Sequence, residues 1–195
     1  MHLNDYHDLA QRTAKQFPTR NENLNHAALG MATELIESLS SKTSEHAAEE
    51  LGDLCWYLPV TCQALGVKLG DMVSVGLRRP VEQVTTEYFD ALSAEDDSEG
   101  WVQAGLTSTG NLITMVKRLV IYDKELTVEM RAEAHADLYM TLRYVALASR
   151  LQASTTLTAV LQANIDKLKK RFPDAYSNEA AEGRADKAGA DARVS

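Results

Sequence analysis

The chain has 195 residues, 45% apolar and 25% charged, and a formal net charge of −8. That length suits one domain or two small halves sharing a core, and the acidic balance argues against unassisted binding to a nucleic-acid polymer. No segment resembles a signal peptide and no apolar run is long enough to cross a membrane, so a cytoplasmic protein with no membrane partner is expected.

Helical periodicity runs through the chain and strand alternation is absent. A first helix is predicted over residues 3–16, ending near "FPTRNEN". A second runs from about Leu24 to Ser40, with Leu24, Ala27, Ala28, Met31 and Leu35 on one stripe. "SSKTS" breaks it, and a third starts near Glu45. The stripe of the third continues on both sides of Pro59, so the proline should bend the helix and not end it. Cys55 and Cys62 share this helix, too far apart to bridge within it, and read as buried thiols. "ALGVKLGDMVSVGLRRP" gives a glycine stop and a short further helix. The acidic run at 93–100 reads as an exposed linker. Three more stripes follow, from Leu112 to Val120, from Met130 to Val145 and from Leu157 to Leu168. The Ala-, Gly- and charge-rich end from 177 to 195 reads as a flexible tail.

The halves repeat one another faintly. "GMATELIE" (30–37) pairs with "GNLITMVK" (110–117), and "AEELGDLCWYL" (48–58) with "AEAHADLYMTL" (132–142). "LGDMVSVGLRRP" (69–80) pairs with "LTAVLQANIDKLKKRFP" (157–173). The expected architecture is an all-α bundle of two related, duplicated halves, residues 1–92 and 101–176, joined by the linker. In this pairing Glu34 meets Thr114, Glu37 meets Lys117 and Glu50 meets Ala134, while Asp53 keeps Asp137.

The first half holds the chemistry. Glu34 and Glu37 are three residues apart, as are Glu50 and Asp53, so each pair shares a helix face. The short break between the two helices lets them fold back as a hairpin and bring the pairs together. Four carboxylates at the margin of a core repel one another and are costly to desolvate. A hard divalent cation compensates, and Mg²⁺ is held by a few carboxylates with waters and phosphates. A solvated acidic face is the plainer alternative. A di-iron bundle would need Glu-x-x-His, which does not occur.

E-x-x-E at 34–37, twelve residues, then E-x-x-D at 50–53 inside "EELGDLCWYL" resembles the MazG-like all-α nucleoside triphosphate pyrophosphohydrolases, a superfamily that includes the dimeric dUTPases and dCTP pyrophosphatases. "HAALGM" (26–31) is similar to the family's lead-in, and "NIDKLKKRFP" (164–173) to its closing N-x-x-K-L-x-x-R-[FY]-P segment. The resemblance covers about residues 3–176. It implies that Glu34, Glu37, Glu50 and Asp53 bind Mg²⁺, with Mn²⁺ as a substitute, and that Glu34 or Glu37 activates water. Asn164, Lys167 and Arg171 share a helix face and would contact phosphate and sugar, with Tyr57 and His26 as further nucleotide contacts. Without the resemblance, Lys167 and Arg171 read as solvated charges and Tyr57 as core-edge packing. The implied reaction converts a nucleoside triphosphate, dUTP, dCTP or, as in some phage members, dGTP, to monophosphate and pyrophosphate. The alternatives are a relative acting on phosphoribosyl-ATP and a helical interaction protein with a vestigial site. Single-module relatives imply a homodimer. One departure stands out: "MVSVGLRRP" follows the first acid hairpin where N-x-x-K is expected, and that segment appears only at the end of the second half. One composite site per chain is therefore expected.

Overall fold

The computed structural model describes residues 1–95 and 99–185. Among them the chain forms α1 (Leu3–Arg12), α2 (Arg20–Ser40), α3 (Ser44–Ala64), α4 (Leu69–Leu77), α5 (Thr86–Ala94), α6 (Glu99–Val120), α7 (Val128–Leu151), α8 (Leu157–Arg171) and α9 (Asn178–Gly183). A 3₁₀ turn at Val81–Gln83 precedes α5, and no strand forms among the described residues. None of these helices is long and apolar enough to cross a membrane.

One local device starts most of the helices. Thr19, Thr43, Thr85, Thr127, Thr156 and Ser177 each accept a hydrogen bond from the backbone N–H three residues ahead. Each such cap contributes about 1 kcal/mol. At Thr19 the bond is reciprocal, because Glu22 accepts from the Thr19 backbone at 2.9 Å.

Three boundaries differ from the sequence pattern. The first helix stops at Arg12 and not at residue 16. Beyond it, the Asn23 side chain accepts from the Phe17 N–H at 3.2 Å and donates to the Phe17 carbonyl at 3.0 Å, ahead of Pro18. The acidic stretch at 93–100 is a narrower break than expected, since α5 ends at Ala94 and α6 starts at Glu99; residues 96–98 of it lie outside the described residues. The expected tail carries a helix at its start, because Ser177 caps an alanine-containing turn at Asn178–Gly183; its last ten residues, 186–195, lie outside the described ones.

Short connections fold α2 against α3 and α6 against α7 as hairpins. The hairpins meet through α2 on α6 and α3 on α7. Leu24, Met31, Leu51, Leu54, Leu58, Leu112, Leu138, Leu142 and Tyr144 fill the space between them. Helix α3 runs through Pro59 to Ala64, and both Cys55 and Cys62 are buried free thiols. The outer helices cross over: α4 packs on α7, and α8 packs on α3. Helix α1 packs on α3 and α4, as α5 packs on α7 and α8. Helices α1–α4 and α5–α8 thus take matching partners.

The match reaches individual atoms. The Leu3 N–H donates to the Val84 carbonyl at 3.2 Å, and the Thr86 N–H donates to the Met1 carbonyl at 2.9 Å, a reciprocal pair around His2 and Thr85. From α1, His7 Nδ1 accepts the Leu69 N–H at the start of α4, at 3.3 Å. From α5, Asp90 Oδ1 accepts the Leu157 N–H at the start of α8, at 2.7 Å.

Candidate functional site

The hairpin of α2 and α3 turns its acids toward a cavity of about 470 Å³. Oxygens of Glu34, Glu50 and Asp53 lie within 4.8 Å of one another, a group that could hold a metal ion. Glu37 lines the same cavity but is exposed and stands outside that trio. Spacing on α2 places Glu34 and Glu37 side by side, yet only Glu34 turns inward far enough to meet α3. Burial, then a hydrogen bond to Glu50 and the nearby Asp53, pushes the Glu34 carboxyl up to about 8. Glu50 is buried, and His46, one turn earlier on α3, reaches its Oε1 at 2.8 Å.

Helix α8 brings the cations. Lys167 Nζ donates to Asp53 Oδ1 at 2.6 Å and to Oδ2 at 2.5 Å, and to Glu49 at 3.3 Å. The Asn164 amide donates to Asp53 Oδ1 at 2.6 Å, while its own buried Oδ1 has no partner. Gly52 makes this approach feasible: a Cβ there would lie 3.1 Å from the Asn164 Cβ, so the helices meet where side-chain bulk is least. The N-x-x-K segment and the acid pair, more than a hundred residues apart in the chain, therefore share one carboxylate. Metal and cation roles, separable on sequence, converge on Asp53.

An aromatic wall adjoins the acids. The Tyr57 ring lies over Gly30, where a Cβ would fall 2.0 Å from Tyr57 Cζ. Burial, with Glu34 and Asp53 adding repulsion, pushes the Tyr57 hydroxyl up to about 12. His26 sits edge-on to Tyr57 at 5.4 Å and to Trp56 at 6.1 Å, and 5.2 Å from Phe17. Burial first and Lys15 second lower the His26 pKa, so its ring is neutral at pH 7. Its buried Nδ1 has no partner. Trp56 lines the cavity too, its indole N–H donating to Thr13 at 3.1 Å.

The cavity thus gathers Glu34, Glu37, Glu50, Asp53, His26, Tyr57, Lys167 and Arg171. Asn164 meets Asp53 at its edge. It also includes residues that the sequence reading did not single out: Lys15, Glu49, Phe172, Tyr176 and Arg184. His46 carried a local signal, since it precedes Glu50 by four residues on the same helix face. Glu49 adjoins Glu50 on α3 and Phe172 lies near the end of the N-x-x-K segment, while Lys15, Tyr176 and Arg184 carry no signal, because they reach the cavity from the stretches after α1 and after α8. No family model, no curated protein and no solved structure matches this chain.

Proposed function

We propose that the protein is a divalent-metal-dependent nucleoside triphosphate pyrophosphohydrolase. One observation carries the reading: a trio of carboxylates that could hold a metal ion faces a cavity that also presents cationic and aromatic side chains. Metal, polyphosphate and base each meet the surface that suits them.

The donor set fits the ion. It consists of carboxylate oxygens, hard donors suited to Mg²⁺ or Mn²⁺ and not to thiophilic metals. Glu34, Glu50 and Asp53 would hold it, with Glu37 placed to join from the rim. A bound divalent ion supplies charge neutralisation on the phosphates and acidifies water. Lys167 fixes the orientation of Asp53 and leaves a positive charge beside it. Glu34 is the base: it faces the cavity beside Glu50 and Asp53, and as a carboxylate, the form a held cation favours, it can accept a proton. The water oxygen bonds to the α-phosphorus as the bond to the bridging oxygen breaks. Glu34 takes the water proton, and pyrophosphate leaves. Arg171 meets the phosphates, and the neutral His26 and Tyr57 rings meet the base.

The matched partners of α1–α4 and α5–α8, and the reciprocal bonds around His2 and Thr85, support an internal duplication. The equivalence starts with α1 and α5, so the second unit begins near residue 85 and not after the acidic stretch. In this reading the crossed outer helices place the site between the units. Exposed Leu29, Ile36 and Leu39 along α2 support assembly with a second copy, which sedimentation at micromolar concentration tests.

A screen of the eight common ribo- and deoxyribonucleoside triphosphates, with dUTP and phosphoribosyl-ATP added, tests the reaction. Pyrophosphate should appear with Mg²⁺ and stop on chelation, with dUTP, dCTP or dGTP the best substrate. Release from none of them, with Mg²⁺ or Mn²⁺, would leave a helical interaction protein.

A further inference from the structure

The cavity draws on a stretch beyond the N-x-x-K segment. After α8 the chain is tied down to α1 by an arginine clamp. Arg12 Nη1 donates to the carbonyls of Phe172 at 3.1 Å, Pro173 at 2.8 Å and Asp174 at 2.6 Å. The Tyr176 N–H returns a bond to the Arg12 carbonyl at 3.3 Å. The Phe172 and Tyr176 rings meet at a tilt, 5.3 Å between centroids, and Lys15 lies 5.8 Å from the centre of the Tyr176 ring. Ser177 then starts α9, and Ala181 and Arg184 line the cavity mouth.

Charge in the cavity is divided. Glu34, Glu37, Glu49, Glu50 and Asp53 provide five carboxylates, against Lys15, Lys167, Arg171 and Arg184. Lys167 is engaged by Asp53 and Glu49, and Lys15 is drawn over the rings of Phe17 and Tyr176. Arg184 differs from both, being exposed to solvent as well as lining the cavity. It closes α9 at φ 41° and ψ 51°, a left-handed conformation that an arginine seldom takes. Arg78 closes α4 in the same way, so the conformation is that of a helix end. A planar guanidinium at the mouth suits a phosphate oxygen pair, which it can meet through two parallel bonds.

We infer that Arg184 is a phosphate-binding residue of this cavity, carried to it by residues 172–184 as an arm that Arg12 anchors to α1. The ligand class is a metal-bound polyphosphate chain, so the inference rests on the triphosphate reading of the site. The acid trio takes the cation, and Arg184 closes over the end of the chain farther from it.

Calorimetric titration of the full-length protein with inorganic tripolyphosphate in Mg²⁺ tests this without any turnover. The unaltered protein should bind. Arg184→Gln should weaken binding about ten-fold, the loss of one charge-assisted bond, and Arg184→Glu should weaken it further. Arg184→Lys should restore most of the affinity. Because Gln, Glu and Lys bear the same left-handed backbone cost as Arg, the differences report charge and not strain. Mg²⁺ binding without tripolyphosphate should be the same in all four proteins. Wild-type affinity in Arg184→Gln would overturn the assignment of Arg184 and leave the triphosphate reading standing. Failure of the unaltered protein to bind tripolyphosphate would overturn both.

Discussion

Helices α2–α3 and α6–α7 are hairpins of the same build, and each has a cavity on its flank. The first is the acid-lined one; the second, of about 420 Å³, is lined by Asn111, Thr114, Arg118, Met130, Glu133 and Asp137, among others. Where the first hairpin has Glu34, Glu50 and Asp53, the second has Thr114, Ala134 and Asp137. Asp137 takes a hydrogen bond from Asn111 at 3.2 Å, and burial raises its pKa. The outer helices differ as well. Helix α8 presents Asn164 and Lys167 to Asp53. Helix α4 brings Gly76 so close to α7 that a Cβ would lie 2.8 Å from the His135 carbonyl oxygen, and Arg79 turns to Gln83 and the Tyr88 ring. The difference teaches that the hairpin supplies only the frame. The proposed chemistry uses three inward carboxylates and a cation arriving from the helix opposite, and one unit has each set.

The sharpest way to break this comparison is to remove the one acid that both hairpins keep. Asp53→Asn should lower pyrophosphate release at least about 100-fold, the scale seen when one essential charge-stabilising group is lost. Asp137→Asn should leave the rate unchanged. Equal loss in both variants would mean that the second cavity participates and that the division between units is wrong. Lys167→Ala comes next. It removes a charge-assisted contact of about 1.5–3 kcal/mol, and substrate affinity should fall accordingly. Because Lys167 holds both oxygens of Asp53, the variant should also alter Mg²⁺ affinity, which calorimetry on the substrate-free protein reads directly.

Stability separates the hairpins by a smaller margin. Glu34 keeps its proton up to about 8 in the folded state, while an unfolded glutamate loses it near its ordinary value of about 4.5. Between those values the folded state binds more protons, so the Glu34 contribution falls as pH rises through the window. Glu34→Gln should therefore raise the melting temperature of the metal-free protein at pH 8, with little difference from wild type at pH 4.5. Saturating Mg²⁺ should narrow the gap at pH 8 by stabilising the wild type more. A variant that melts lower than wild type at pH 8 without metal would show that burial of Glu34 is not a cost to the fold.

Most of the frame was legible in the sequence, because long stripes such as Leu51, Leu54 and Leu58 report burial through period alone. The acid trio was legible too, since Glu34, Glu50 and Asp53 sit at helical spacings that flank those stripes. Helices α5 and α9 were not: nine-residue α5 lacks the glycine stop that set off the equally short α4, six-residue α9 is too short for a stripe, and their threonine and serine caps resemble ordinary loop residues. Glu37 was read with Glu34 because residues three apart share a face. A shared face fixes neighbours along one helix, but not which of them meets the helix across the groove. The Arg12 clamp on Phe172, Pro173 and Asp174 was out of reach for another reason. Its acceptors are backbone carbonyls about 160 positions away, and carbonyls leave no mark on side-chain pattern.

The smallest difference between the hairpins lies in a pair of glycines at matching positions, Gly30 on α2 and Gly110 on α6. Gly30 is needed for space: a Cβ would fall inside the Tyr57 ring, 2.0 Å from Cζ and 2.3 Å from both Cε atoms. Gly30→Ala must push that ring out of place, at a cost of about 1–3 kcal/mol, and should disturb the cavity wall as well as the core. Gly110 has open space where its Cβ would be, and its φ is not positive. It lies inside α6, where glycine gives up more backbone entropy on folding than alanine does. Gly110→Ala should accordingly stabilise the protein by about 0.5–1 kcal/mol, read as a rise in melting temperature of about 2–4 °C per kcal/mol for a chain of this size. Activity should not change. Stabilisation by both alanines would mean that the Tyr57 ring does not rest on Gly30 in solution, and the aromatic wall would lose its anchor. Destabilisation by both would mean that the second hairpin is packed as tightly as the first at this position.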